Sequence, residues 1–69
     1  MKLVKITTEY ITLGQFLKFA AVIQTGGEAK IFLESHNIFI NKIADNRRGR
    51  KLYPGDNIEI ENVGTYKIE

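Results

Sequence analysis

Between Thr12 and Ala21 the apolar positions fall at Leu13, Phe16, Leu17, Ala20 and Ala21. This i, i+3, i+4, i+7, i+8 spacing sets one stripe of a helix against a core and leaves Gln15 and Lys18 facing water. Thr12-Leu13-Gly14-Gln15 is a capping box, in which the Thr12 hydroxyl accepts from the Gln15 amide while the Gln15 side chain reaches back to Thr12. The first helix is therefore predicted to begin there and to run to Gly26-Gly27. Thr25-Gly26-Gly27-Glu28 reads as a second capping box, so a new helix follows across a tight corner. Ala29, Phe32 and Leu33 give this helix its buried stripe, with Lys30 and Glu34 paired at i, i+4 on the opposite side. It is predicted to stop near His36-Asn37, because Asn tolerates the left-handed conformation of a C-terminal cap.

Outside the helices the period changes to two. Lys2 to Thr8 is rich in β-branched residues and fits a short strand. Ile38-Phe39-Ile40 and Ile43-Ala44 read as a hairpin turned by Asn41-Lys42. Asp45 to Lys51 is a polar loop, and Pro54-Gly55 occupies i+1 and i+2 of a type II turn. Ile58-Glu59-Ile60-Glu61 alternates with one wet face, and Thr65-Tyr66-Lys67-Ile68 forms a last hairpin strand after Asn62-Val63-Gly64. The order is strand, helix, helix, then three or four antiparallel strands. The fold class is α+β, a helix pair packed on a small antiparallel sheet.

Composition narrows the reading. A chain of 69 residues with 43% hydrophobic positions supplies one compact core, so residues 1–69 are read as a single domain. There is no Cys, which removes disulfides, thiolate metal sites and cysteine nucleophiles and suits a reducing cytoplasm. The longest apolar run, Phe19 to Ile23, is far short of the roughly 20 residues a membrane helix needs, and no signal-peptide pattern opens the chain.

The formal net charge of +2 matters less than its distribution. Residues 42–51 carry Lys42, Arg47, Arg48, Arg50 and Lys51 against Asp45 alone, whereas Asp56, Glu59, Glu61 and Glu69 face only Lys67 in the C-terminal part. Such asymmetry marks one face suited to a polyanion. Arg47-Arg48-Gly49-Arg50-Lys51 is the strongest local signal, since Arg presents a rigid bidentate fork to phosphate and clustered cations repel one another unless neutralised. Phe39, Tyr53 and Tyr66 could stack on bases or serve the core.

Catalytic chemistry finds little support. His36 is the single histidine and adjoins Ser35, but neighbours on a helix point about 100° apart, so the pair is not expected to act as nucleophile and base. His36 is expected to satisfy helix-end carbonyls instead. No metal cluster and no cofactor motif is visible, and Gly26-Gly27 lacks the spacing of a nucleotide loop. Those glycines still allow close approach of a backbone phosphate, with Lys30 one turn further on.

Gly26-Gly27-Glu28-Ala29-Lys30, Ile38-Phe39-Ile40-Asn41, Arg47-Arg48-Gly49-Arg50-Lys51-Leu52 and Pro54-Gly55-Asp56 together resemble the S4-like, or alpha-L, RNA-binding domain. Within it they look like the small stand-alone bacterial members, the YaaA-type proteins. The resemblance spans about residues 11–61. It implies that RNA lies across the start of the second helix and the neighbouring strand loops. By position it carries an RNA-binding role onto Thr25, Gly26, Gly27, Lys30, Asn41, Lys42, Arg47, Arg48, Arg50 and Lys51, to which we add Lys18.

The chain departs from the wider family in four places. Thr12-Leu13-Gly14 stands where Arg-Leu-Asp is frequent, and Thr25-Gly26 where Ser-Arg is usual. His36 and Lys42 occupy two positions where glycine is common, and Lys42 adds a cation.

The expected function is non-catalytic binding of structured RNA, ribosomal RNA above all, with a role in ribosome assembly or quality control. The partner is then RNA or a ribosomal particle rather than a membrane or a small-molecule substrate, and the protein is expected to be a cytoplasmic monomer without cofactor. The alternative is a protein-interaction module using Phe39 or Tyr53, whose basic loop only steers association.

Overall fold

A computed structural model describes all residues 1–69. The elements run β1 (Lys2–Val4), β2 (Ile11–Thr12), α1 (Leu13–Phe19), α2 (Glu28–Ser35), β3 (Ile38–Ile40), β4 (Ile43–Ala44), β5 (Lys51–Leu52), β6 (Asn57–Ile60) and β7 (Gly64–Ile68). The α+β reading holds. Five strands form one sheet in the order β1-β7-β6-β3-β4, and β2 and β5 form a separate two-stranded ribbon.

The sheet is antiparallel except at one edge. β1 lies parallel to β7, with Lys2, Leu3 and Val4 opposite Tyr66, Lys67 and Ile68, so the predicted antiparallel sheet is in fact mixed. The ribbon is the other addition: Ile11 pairs with Leu52 and Thr12 with Lys51, antiparallel.

One core of 14 buried residues, all hydrophobic, lies between the helices and the inner face of the sheet. The alternation of β6 and β7 delivers Ile58, Ile60, Tyr66 and Ile68 to it, and Leu13, Phe16, Leu17, Ala29 and Leu33 cover them from the helices. Phe16 meets Tyr66 edge-on, with ring centroids 5.3 Å apart, so this tyrosine is a core residue.

The α1 capping box forms in full: Gln15 N–H donates to Thr12 Oγ1 at 3.3 Å and Thr12 N–H to Gln15 Oε1 at 3.0 Å. The helix ends sooner than its apolar stripe predicts. Ala21 turns left-handed at φ 59°, its N–H donating to Lys18 O, while Val22 N–H donates to Leu17 O. This is the paired bonding of a Schellman cap, completed without glycine. Ala21 is consequently exposed rather than part of the stripe, and residues 20–27 are turns leading to α2.

The second capping box is only half formed. Glu28 Oε1 accepts from Thr25 N–H, but the Thr25 hydroxyl donates to that same oxygen instead of accepting from the helix, and the N-cap position falls to Gly27.

Three turns match their sequence signals. Asn41 and Lys42 both take positive φ, 52° and 70°, as the two-residue hairpin joining Ile40 to Ile43 requires. Gly55 at φ 101° completes the type II turn closed by Asp56 N–H to Tyr53 O at 3.0 Å. Asn62, at φ 65°, turns β6 into β7.

Ala21 and Lys42 are residues with a Cβ held where glycine is most at ease. Ala21→Gly and Lys42→Gly are each expected to raise unfolding stability by about 1 kcal/mol, read as a higher urea midpoint at unchanged slope.

Candidate RNA-binding surface

The basic loop is fastened to the start of α1. Leu13 N–H donates to Arg50 O at 2.7 Å and Gly14 N–H to Arg48 O at 2.9 Å. With Gln15 N–H taken by Thr12, the first three amides of the helix are all used, so this helix end offers no bare donors to an anion. What it does instead is fix the loop backbone. A side chain leaving Arg48 is thereby aimed along α1.

Gly14 makes room for it. A Cβ at position 14 would lie 2.9 Å from Arg48 Cγ, so the Arg48 stem occupies the space that any larger residue would need. The guanidinium continues toward α2, where a Cβ on Gly26 would lie 3.8 Å from Arg48 Nη2. Thr12, Gly14, Gln15, Lys18, Gly26, Ala29 and Arg48 together line a groove of about 290 Å³. Two cations therefore flank a glycine-floored channel between the two helix starts.

The other arginines of the loop are engaged differently. Arg47 forms a fork on Asp45, Nε to Oδ1 at 3.1 Å and Nη2 to Oδ2 at 2.9 Å, and its backbone N–H donates to Oδ1 at 3.0 Å. Arg50 Nη1 donates to Asp45 Oδ2 at 2.8 Å. The carboxylate is 9% exposed although the Arg47 side chain is 72% exposed, so Asp45 is the covered hub of the loop. Its Arg47 bonds, chiefly, hold the Asp45 carboxyl well below the usual carboxylate range, with Arg50 contributing; partial desolvation opposes them. The same contacts push the Arg47 guanidinium up. Of four cations in five residues, two neutralise a local acid, whereas Arg48 and Lys51 have no such partner.

Lys51 lies on the ribbon, its Nζ 4.8 Å from the centroid of the Tyr10 ring. Lys30 is exposed on α2 but lies outside the groove lining. Thr25 and Gly27 frame the corner before α2, and both Thr25 donors go to Glu28.

Asn41 and Lys42 lie apart from the groove at the tip of the β3–β4 hairpin, beside a shallow cleft that also touches Phe39 and Thr65. The Asn41 side chain is spent on structure: Nδ2 donates to Asp56 Oδ1 and Oδ1 accepts from Asn57 N–H, each at 3.0 Å. The structure thus gathers Lys18, Gly26 and Arg48, places Lys51 on the ribbon opposite Thr12 and sets Asn41 and Lys42 elsewhere. Gly14 and Gln15, which sequence reasoning did not single out as site residues, are part of the groove. The signal available was the absent side chain at position 14.

Ser35 and His36 require a correction. They were expected to point apart, yet Ser35 Oγ lies 2.9 Å from His36 Nδ1, because His36 leaves the helix with extended backbone at φ −129° and ψ 145°. The contact is not a nucleophile and its base. Nδ1 also lies 3.1 Å from Phe32 O, which can only accept, an arrangement that favours a proton on Nδ1 over a lone pair turned to the serine. Ser35 Oγ likewise contacts Ile31 O at 2.9 Å, and the imidazole stacks on Phe32 at 3.9 Å. His36 closes the end of α2, as expected. No three His, Asp or Glu side chains come together in a metal-binding group, and no helix is long and apolar enough to cross a membrane.

Comparison with known proteins agrees with this architecture. The chain is 58% identical over 65 residues, 94% of its own length and 92% of the other, to the probable ribosome maturation protein RlbA of Bacillus subtilis (strain 168). The S4 domain family matches residues 4–69, nearly the whole chain, and the protein belongs to that family.

Proposed function

We propose that this protein is a non-catalytic cytoplasmic module that binds structured RNA, ribosomal RNA in particular, and acts in the assembly or quality control of a ribosomal particle. The observation that carries the reading is Arg48, steered by two backbone hydrogen bonds across the face of α1 into a groove it shares with Lys18 and Gly26. A fork of fixed direction beside a second cation suits a phosphodiester backbone, and glycine at position 26 leaves the fork accessible to it. Affinity would come from phosphate contacts, and selectivity from the shape of a folded RNA presented to a surface only two helix starts wide. The name of the Bacillus relative supports a ribosomal target. Asp45 acts by holding the loop, so that Arg48 and Lys51 are presented without the disorder a flexible run of cations would otherwise have.

Binding to a structured ribosomal RNA fragment and to duplex DNA of equal length, each titrated across salt, tests the reading. The RNA is expected to bind more tightly, with a log-log salt slope of several counterions, and Arg48→Ala and Lys18→Ala each to reduce that slope by about 1. Arg47→Ala is expected to lose less than Arg48→Ala. Equal, weak binding to both nucleic acids would reject the proposal.

Gly14→Ala separates binding from folding. Alanine favours the helix, but its Cβ displaces the Arg48 stem. The protein is expected to stay folded, with thermal stability lowered by the shift of the loop against α1, while RNA affinity falls.

The clasp predicts a pH dependence. Since the folded-state pKa of Asp45 is depressed, its contribution is complete above the ordinary carboxylate value near 4 and is lost as pH falls below it. Asp45→Asn is expected to lower stability at neutral pH and to flatten the decline below about pH 4, measured by urea unfolding across pH.

A further inference from the structure

The β2–β5 ribbon is flanked by two tyrosines, Tyr10 and Tyr53, that the basic groove does not use. Its register sets Ile11 opposite Leu52 and Thr12 opposite Lys51, and one step outward it sets Tyr10 beside Tyr53. Alternation gives the ribbon two faces. Leu52 is fully buried and Ile11 packs against the core, so Tyr10, Thr12, Lys51 and Tyr53 share the outward face.

Tyr10 and Tyr53 stand 36% and 42% exposed with ring centroids 5.7 Å apart, tilted by 46°. Lys51 Nζ sits 4.8 Å above the Tyr10 ring. Beside them runs a cleft of about 680 Å³, formed by residues 5–12 together with Gln15 and the exposed ring of Phe19. Thr12 and Gln15 line both this cleft and the Arg48 groove, so the two adjoin.

We propose that Tyr10 and Tyr53 form a stacking platform for an unpaired RNA base, positioned next to the phosphate-binding groove and served by Lys51. This deepens the RNA-binding reading and rests on it, naming an unpaired nucleotide as the feature recognised. The hydroxyls of the two tyrosines keep them compatible with a wet surface while leaving ring area open to a partner. A base has the flat face that fits a tyrosine ring, and stacking of this kind tolerates any base. Lys51, its Nζ already over the Tyr10 ring, supplies a charge for the phosphate of the same nucleotide. A-form RNA exposes no base face within its helix, so the platform selects for a bulge, loop or strand end. Charge complementarity with the adjoining Arg48 and Lys18 favours a nucleic acid over an apolar peptide as the occupant of this face.

The test uses two RNA hairpins of equal length closed by the same compact four-nucleotide loop, one with a fully paired stem and one with a single bulged 2-aminopurine in the stem, so that any contribution of the loop is common to both. Each is titrated with wild type, Tyr53→Leu, Tyr10→Leu and Tyr53→Phe. Circular dichroism verifies that each variant folds. Wild type is expected to prefer the bulged hairpin by at least about fivefold and to quench its 2-aminopurine fluorescence. Tyr53→Leu is expected to remove preference and quenching while leaving affinity for the paired hairpin within about twofold; Tyr53→Phe keeps both effects. Salt-dependent binding of wild type to both hairpins with no preference and no quenching would overturn the platform while leaving the basic groove intact. Failure to bind either hairpin would overturn both readings. Retained preference and quenching in both leucine variants would assign the base to another part of the surface.

Discussion

Two backbone hydrogen bonds, Leu13 N–H to Arg50 O and Gly14 N–H to Arg48 O, join the most basic segment of the chain to the start of α1. A helix start always leaves amides without helical partners. Here a loop more than thirty residues downstream supplies the acceptors, so completing the helix and placing the arginines are one event. The pairing of Thr12 with Lys51 extends the same seam, and Leu52 seats it in the core. Loosening the seam would free two buried-side amides, unseat a core leucine and release Arg48 at once. In a chain this small, with a core of 14 side chains, that coupling keeps the loop from behaving as an independent, mobile tail.

Charge is arranged on the same principle. Five cations within ten residues repel one another, and Asp45 answers by taking two of them. An exposed ion pair contributes little by itself. Asp45 differs because its carboxylate is covered and accepts from two guanidinium groups and a backbone amide together, which defines the path of the loop as well as its energy. The arginines are therefore divided by role: Arg47 and Arg50 shape the loop, and Arg48 leaves it.

The residues make plain why some of this was legible and some was not. Short-range signals were legible: the Thr12 capping box, the Asn41-Lys42 hairpin, the Pro54-Gly55 turn and the alternation of Ile58 and Ile60 each depend on neighbours within four positions, and each forms. The basic loop was legible because charge density requires no geometry. The parallel edge strand was not, since nothing local to Lys2–Val4 specifies Tyr66–Ile68 as its partner. The early end of α1 was hidden because a Schellman cap is read from glycine, and the chain places alanine there. Tyr10 escaped notice because its meaning comes from Tyr53, forty-three residues away, and only the ribbon's register brings them together.

The second helix start restricts how an anion can reach it. Gly26-Gly27 was expected to allow close approach of a backbone phosphate, with Lys30 one turn further on. Glu28 Oε1 instead occupies the corner, held by both donors of Thr25, and a carboxylate there opposes an anion arriving along the helix axis. In the proposed binding mode a polyanion approaches from the side, where Arg48 Nη2 passes Gly26 and Lys18 stands on the facing helix. The absence of side chains at positions 14 and 26 acquires its meaning from this geometry. One glycine clears the path for the Arg48 stem and the other leaves its fork accessible, so the two helix starts act as walls of a channel whose charge comes wholly from side chains.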